Sequence, residues 1–236
     1  MGEDLLKQWN PFDIFDTEAA RLDGFFSGLA EGDEEWQRPS RCAGWSVRDV
    51  LAHLAGEELY NHACLDGNVQ DLLARLAREG VNGFHDFNEW SVRQRRALPV
   101  GQVLDEWRTQ NGETRARMRA LGRDALIDTM AGPYPVGWQT FHYDSEYATH
   151  ADDVGAPVAD AEADGRTLWR VAVGRFVLAE QESKAQVEQT ADEIWVCADG
   201  VTTTLSYPEF VAATVGRLGP GHELDPRVAA ALRCLA

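Results

Sequence analysis

Apolar residues recur every three or four positions through the first two thirds of the chain, which is the spacing of helices that bury one face. The stretch DTEAARLDGFFSGLA predicts a first helix with Asp16 or Thr17 as its N-cap. A second helix is predicted in WSVRDVLAHLAGEELYNHACL, where Ser46 is the N-cap and Asp49 follows three residues later, a variant of the capping box. A short and a longer helix are predicted on either side of Pro99.

The stretch AGPYPVGW is rich in glycine and proline and predicts a loop. It is followed by the fourth principal helix, over about residues 138 to 154. Four helices of this length with connecting loops predict a four-helix bundle. We therefore expect a mostly α-helical domain over residues 1–155.

The pattern changes after residue 155, where helical and strand-like segments alternate. RTLWRVAVGRFVLAEQ predicts a helix, and EIWVCADGVTTTLSY predicts two strands joined by a turn at Asp199 and Gly200. A helix with Pro208 in its first turn and a short final helix complete the chain. Residues 156–236 are therefore expected to form a small α/β domain.

Charge and composition exclude several partners. The chain of 236 residues carries 22 basic and 39 acidic residues, a net charge of −17 that would repel a phosphate backbone, so we expect no nucleic-acid partner. No apolar run approaches the roughly 18 residues that span a bilayer, and the acidic start MGEDLLKQWNPFD lacks the pattern of a secretory signal. Four scattered cysteines favour reduced thiols. We expect a cytoplasmic monomer or homodimer.

The segment FHYDSEYATHADD concentrates residues that can bind a metal ion. On a helix, His142, Glu146, His150 and Asp153 fall within an arc of roughly 80°. Glu146 and His150 are four residues apart and can reach one point, while Asp153 can accept the second imidazole N–H of His150. The same stripe is also typical of a solvated helix face.

Spacing alone leaves both interpretations open, because Glu58 and His62 repeat it in the second helix. A third ligand has to come from another helix, and His53 is the candidate, since it lies among apolar residues in VLAHLAGEE. A half-buried histidine with ordinary hydrogen bonds would explain His53 equally well.

The blocks RCAGWSVRDVLAHLAGEE, FNEWSVRQRR and EYATHADDVG, in this order, resemble the mycothiol-dependent maleylpyruvate isomerase family of the DinB-like superfamily. The resemblance implies a DinB-like four-helix bundle that holds Zn²⁺, or another divalent metal such as Ni²⁺, through His53, Glu146 and His150. Asp153 matches the family's aspartate after the second histidine. In the tail, Arg217 is the nearest counterpart of an arginine implied to bind a substrate carboxylate.

The implied chemistry uses mycothiol as a thiol cosubstrate. Two histidines and one glutamate leave a coordination position at which a thiol can be bound as its thiolate. Attack on a small electrophile would make the protein an S-transferase or a maleylpyruvate-type cis–trans isomerase. The alternatives are a hydrolase that uses metal-bound water, and a DinB-like binding or stress protein whose metal is structural and closed by a fourth ligand such as Glu57 or His142.

Overall fold

The computed structural model describes residues 3–219 and 221–235, and their contacts divide the chain into two compact units. One unit spans Pro11–Pro157, and the other combines Val158–Ala236 with Met1–Asn10. The predicted domain boundaries, residues 1–155 and 156–236, stay a prediction.

The unit Pro11–Pro157 contains most of the helices and one two-stranded hairpin. Its elements are α1 Pro11–Ser27, the 3₁₀ turn Glu34–Gln37, α2 Val47–Leu65, α3 Val69–Arg78, α4 Gly83–Arg95, α5 Val100–Leu121, β1 Leu126–Thr129, β2 Gly132–Pro135 and α6 Val136–Val154. The long helices α1, α2, α5 and α6 form the bundle, in which α1 packs on α6 and α2 packs on α5. The predicted four-helix bundle is confirmed.

Helix α2 begins and ends at residues that the sequence marks clearly. Ser46 and Asp49 form the predicted capping box, in which the Ser46 hydroxyl accepts from the Asp49 backbone N–H and the Asp49 carboxylate accepts from the Ser46 N–H. The helix ends before Gly67, whose φ of 69° is a left-handed conformation that glycine adopts at little cost. These two ends fix which residues of α2 face the bundle.

A glycine lets α4 approach α2 closely. A Cβ atom on Gly56 would lie 2.3 Å from the Cβ of Ser91, which no ordinary contact tolerates. Gly56 is therefore required by the crossing of the two helices, one turn from His53. Any larger residue would push α4 away and disturb the helix face that carries His53.

The apolar core of the bundle is built from large side chains at helical spacing. Phe15 packs edge to face on Tyr147 with ring centroids 4.9 Å apart, and Phe26 packs in the same way on Trp107 at 5.9 Å. All four rings are almost completely buried. Each buried ring contributes roughly 2–3 kcal/mol through removal of apolar surface from water.

The second unit is a small antiparallel sheet with helices. Its elements are the 3₁₀ turn Glu3–Leu5, α7 Asp160–Glu180, β3 Gln186–Gln189, β4 Glu193–Ala198, β5 Val201–Ser206, α8 Tyr207–Thr214 and α9 Pro226–Leu232. The sheet order is β3-β4-β5, with Ala198 opposite Val201 across the predicted turn. Asp199 and Gly200 both have positive φ, as a type I′ turn requires. The predicted small α/β part is confirmed.

The sequence patterns misplace or miss several elements. The supposed loop AGPYPVGW contains strand β2, whose partner β1 pairs Ile127 with Tyr134. Helix α1 begins at Pro11, not near Asp16, because proline suits the first helical position. Asp16 instead accepts hydrogen bonds from Arg115 and Arg119 of α5. Helix α3 and strand β3 have no counterpart among the predicted elements.

Among the described residues, no helix has the length and hydropathy of a membrane span.

One carboxylate in the bundle is buried without a partner. Asp144 of α6 is fully buried, and neither carboxylate oxygen has a hydrogen-bond partner in the described part of the chain. Burial raises the pKa of Asp144 well above its ordinary value of 3.8, and the nearby acids Glu18 and Asp16 of α1 raise it further. The folded protein therefore favours the protonated form.

We predict that Asp144→Asn stabilises the protein at neutral pH. Between the unfolded pKa near 3.8 and the raised native pKa, the unfolded chain ionises while the native carboxyl keeps its proton, so the free energy of unfolding falls as pH rises. Removing this titration should add about 1 kcal/mol or more at pH 7 and little at pH 4. Urea unfolding of the parent and the variant at both pH values measures this difference in the free energy of unfolding. The exposed control Asp105→Asn should lack this pH dependence, and an unstabilised Asp144→Asn at pH 7 would contradict the account.

Candidate metal centre

Three side chains that the sequence singled out meet between α2 and α6. His53 lies on α2, and Glu146 and His150 lie one turn apart on α6. Atom Nε2 of His53 is 2.9 Å from Oε1 of Glu146, and Nε2 of His150 is 3.7 Å from the same oxygen. The three donor atoms lie within 4.8 Å of one another. Residues 93 positions apart in the sequence are thus in direct contact.

The spacing of these donors fits a divalent metal ion. Ligand bonds of about 2.1 Å in a tetrahedral arrangement place donor atoms roughly 3.4 Å apart, between the two distances observed here. Both imidazoles direct Nε2 at the carboxylate, so their lone pairs can converge on one point. His53 and His150 are buried, whereas 33% of the Glu146 side chain is exposed. The group can therefore be reached from the Glu146 side.

The Nδ1 atoms of the two histidines, which face away from Glu146, have different surroundings. Nδ1 of His150 is 3.2 Å from Oδ2 of Asp153, the carboxylate that the sequence proposed for this position. Nδ1 of His53 has no hydrogen-bond partner among the described residues. Packing orients this ring instead, because the Trp45 ring lies 5.0 Å away and its Nε1 donates to Glu89 at 2.7 Å.

Cys42 joins the group from the loop before α2. Its thiol donates to Oδ2 of Asp153 at 3.0 Å, and its sulfur lies 3.7 Å from Nδ1 of His150. Cys42, His150 and Asp153 also satisfy the distance requirement for a metal group, on the opposite side of the imidazole. All three are buried, so this second group is closed to a cosubstrate. No spacing rule links positions 42 and 150, and the sequence therefore gave no sign of this contact.

For Glu146 and His150, burial and hydrogen bonding shift the pKa in opposite directions. Burial alone would raise the pKa of Glu146, but hydrogen bonds from His150 and His53 outweigh it and hold the pKa well below the ordinary value. Burial lowers the pKa of His53. For His150, burial acts downward, but hydrogen bonds with Asp153, Cys42 and Glu146 prevail and raise the pKa well above 6.5. The metal-free group thus favours a carboxylate beside a protonated His150.

A second acid, Glu57, lies next to the group on α2. Its side chain is buried, and Oε2 has no hydrogen-bond partner among the described residues. Burial raises the pKa of Glu57 well above 4.5, and the charge of Glu146 raises it further. Glu57 is a candidate closing ligand from sequence, but it is not among the described residues whose donor atoms meet within 4.8 Å.

The other candidate residues have the following contacts. His142 is 3.2 Å from the Tyr134 hydroxyl. Arg217 belongs to the second unit, where its guanidinium donates to the Val215 carbonyl. Glu58 and His62 have different partners despite their spacing, and His62 contacts the Gln110 carbonyl. Glu58 instead lies at the centre of a buried network, where it accepts hydrogen bonds from Asn61, Asn111, Thr114 and Tyr147.

The family model for the mycothiol maleylpyruvate isomerase N-terminal domain matches residues 15–155, which include all three donors. The chain belongs to this family. A crystal structure of the mycothiol-dependent maleylpyruvate isomerase is similar over 92% of this chain and 94% of its own, with a TM-score of 0.60 and 12% identity. A histidine-to-alanine mutant of that isomerase gives a TM-score of 0.57 and 14% identity over the same shares. At such identities the two structures support the fold alone. No curated protein sequence matches significantly.

We predict that, in chelator-treated protein, the pKa of His53 lies below the ordinary histidine value and the pKa of His150 lies above it. His53 should titrate below about 6.5 because it is buried, and His150 above it because Asp153 and Glu146 stabilise the imidazolium. Imidazole NMR titration measures both. Asp153→Asn should lower the pKa of His150, whereas Asp71→Asn, an exposed change on α3, should leave it unchanged. Equal pKa values for the two rings would contradict the described geometry.

Proposed function

We propose that the protein is a metal- and mycothiol-dependent enzyme acting on a small electrophile. The observation that carries the proposal is the convergence of two buried imidazole Nε2 atoms on one carboxylate oxygen, between helices far apart in sequence. Membership of the mycothiol maleylpyruvate isomerase family supports a thiol as the second component. We propose His53, Glu146 and His150 as the ligands.

The donor set fits Zn²⁺, although imidazole and carboxylate also accept other divalent ions such as Ni²⁺. Three protein ligands leave a coordination position open on the exposed side of Glu146. A divalent metal held there would stabilise a sulfur ligand as its thiolate at neutral pH. This supplies a nucleophile without a reactive cysteine from the protein. The Cys42 thiol instead donates a hydrogen bond to Asp153.

Asp153 and Cys42 act on the orientation of His150. With a metal ion bound, the Asp153 carboxylate would accept a hydrogen bond from Nδ1–H of His150 and leave Nε2 unprotonated and directed at Glu146. The Cys42 thiol in turn fixes the Asp153 carboxylate. Asp153 and Cys42 would thus select the His150 tautomer that can bind a metal ion through Nε2. For His53, packing against the Trp45 ring orients the imidazole.

The choice between isomerase and S-transferase depends on the fate of the sulfur. Addition of a thiolate to an activated double bond converts it to a single bond, about which the molecule can rotate. Elimination of the same thiolate then restores the double bond as its geometric isomer. When the adduct takes up a proton instead, the product is an S-conjugate. Both outcomes use the same site residues.

The four cysteines are free thiols, two of them buried. Free thiols persist in reducing compartments, so we propose a cytoplasmic location. The partners in this proposal are mycothiol and the small electrophile.

We predict that His53→Ala, Glu146→Ala and His150→Ala each lose the bound metal, because two remaining ligands hold a divalent ion weakly. Protein purified without chelator should contain about one equivalent of metal by mass spectrometry, and each variant should contain far less. His62→Ala is the matched control, since His62 has the same spacing from Glu58 but its Nε2 contacts the Gln110 backbone carbonyl. It should keep full metal content.

Absence of stoichiometric metal from the parent protein, or unchanged metal in all three variants, would refute the metal site. Circular dichroism of each variant verifies that the loss of metal is not a loss of fold.

We predict that the metal-loaded protein binds mycothiol and discriminates against glutathione. Calorimetric titration of each thiol into the loaded protein measures this, and His150→Ala should abolish the mycothiol signal because the thiolate loses its counter-charge. Failure of both thiols to bind, with metal present, would remove the transferase and isomerase functions together. It would leave a hydrolase or a non-catalytic metal-binding protein.

A further inference from the structure

Helix α6 is buried on most of its surface but leaves one line of side chains partly accessible. Of its 19 residues, all of them described, 14 are buried. Trp138, Gln139, His142 and Glu146 are half-buried instead and fall within an arc of roughly 100° on the helix. We call these four residues the α6 stripe. Because Glu146 is also a proposed metal ligand, the stripe starts at the proposed metal site.

The stripe extends from Glu146 toward the N-terminus of α6. His142 lies one turn before Glu146 and Trp138 one turn before His142, so Trp138 is about 12 Å from Glu146 along the helix axis. His142 is not among the described residues whose donor atoms meet within 4.8 Å, and the geometry therefore does not make it a metal ligand. A molecule that reached from Glu146 along α6 would pass over His142 and then Trp138.

Tyr134 of β2 holds two of the stripe rings. Its hydroxyl oxygen is 3.2 Å from Nε2 of His142, and the centroids of these two rings are 6.0 Å apart. Its ring also packs edge to face on Trp138, with centroids 5.8 Å apart. These contacts restrict the rotation of both stripe rings before any ligand binds. Side chains that are already ordered cost a ligand less conformational entropy.

The side chains of the stripe combine aromatic surface with hydrogen-bonding groups. Trp138 offers an indole, His142 an imidazole and Gln139 a carboxamide, which together provide donors, acceptors and ring faces. A sugar matches this combination, because its hydroxyls project around the ring edge and leave C–H faces that can stack on an aromatic ring. Lysine and arginine are absent from the four stripe positions, so a carboxylate lying along the stripe would meet the acid Glu146 and no such cation.

We propose that the sugar part of mycothiol lies along the α6 stripe, with a ring face on Trp138 and hydroxyls hydrogen-bonded to His142 and Gln139. The proposal rests on the proposed function, because it assigns the binding region for the thiol cosubstrate of that site. The sulfur of the same molecule would lie at the Glu146 end, beside the metal ligands. Glutathione has two carboxylates and no sugar, and the stripe gives a physical reason for discrimination against it.

Two thiols that share the acetylated cysteine test the assignment: mycothiol, and N-acetylcysteinamide, which lacks the sugar. Calorimetric titration into the metal-loaded protein gives both dissociation constants, and their ratio measures the contribution of the sugar. We expect mycothiol to bind about tenfold or more tightly, since a stacked ring and a few hydrogen bonds supply a factor of that order. Trp138→Ala and His142→Ala should each reduce the ratio about threefold or more by weakening mycothiol alone.

Control variants separate the loss of these contacts from a loss of fold or of metal. Trp90→Ala removes a half-buried indole from α4, where that indole donates to Glu79, and should leave the ratio unchanged. Trp138→Phe keeps an aromatic ring and should retain most of the ratio. Both alanine variants of the stripe should keep full metal content by mass spectrometry. Loss of the metal from His142→Ala would identify His142 as a metal ligand and overturn its assignment to the sugar.

The sugar assignment and the proposed function can fail separately. Equal affinities for the two thiols, or a ratio that neither Trp138→Ala nor His142→Ala changes, overturns the sugar assignment, while metal-dependent binding of both thiols leaves the proposed function intact.

S-methyl mycothiol tests the opposite case, because its sulfur cannot form a thiolate. Its binding to chelator-treated protein, measured by ligand-observed NMR, reports on the sugar alone. If Trp138→Ala and His142→Ala weaken this binding but the metal changes the affinity of neither thiol, the sugar assignment stands and the proposed function fails. No binding of S-methyl mycothiol, or binding that neither variant weakens, overturns the sugar assignment.

Discussion

The candidate site depends on one constraint: α2 and α6 must be held so that two buried imidazoles reach the same carboxylate. A rotation of either helix by one residue would turn a donor away from the others, because neighbouring positions differ by about 100°. The Glu58 network provides this control. Its carboxylate joins α2 to Asn111 and Thr114 of α5 and to Tyr147 of α6. Tyr147 is the residue after Glu146, and Glu58 is five residues from His53.

Buried polar networks of this kind stabilise one arrangement only when their members find partners. Glu58 accepts four hydrogen bonds, and the Trp107 Nε1 donates to the same Tyr147 hydroxyl at 3.0 Å. Two other buried acids lack such partners among the described residues. Neither oxygen of the Asp144 carboxyl has a hydrogen-bond partner, and Oε2 of Glu57 has none. The bundle therefore carries electrostatic cost near the site that its apolar core must offset.

Much of the bundle and part of the site could be predicted from sequence. Local rules were sufficient for the Ser46 cap, the Asp199-Gly200 turn and the helix carrying Glu146 and His150, because these depend on nearby residues. Spacing could not separate Glu146 and His150 from Glu58 and His62, since the difference lies in what each helix faces. The contact of Cys42 with His150 and the unpartnered state of Asp144 arise from packing between segments distant in sequence. The hairpin β1-β2 was missed because glycine and proline usually mark loops.

The proposed function requires that the two imidazoles and the carboxylate hold one metal ion. Diffraction data from crystals of the purified protein, collected on both sides of the zinc and nickel absorption edges, test it most directly. We expect one strong anomalous peak about 2.0 to 2.2 Å from Nε2 of His53, Oε1 of Glu146 and Nε2 of His150. A peak on the Cys42 and Asp153 side of His150, or none at this position, would contradict it.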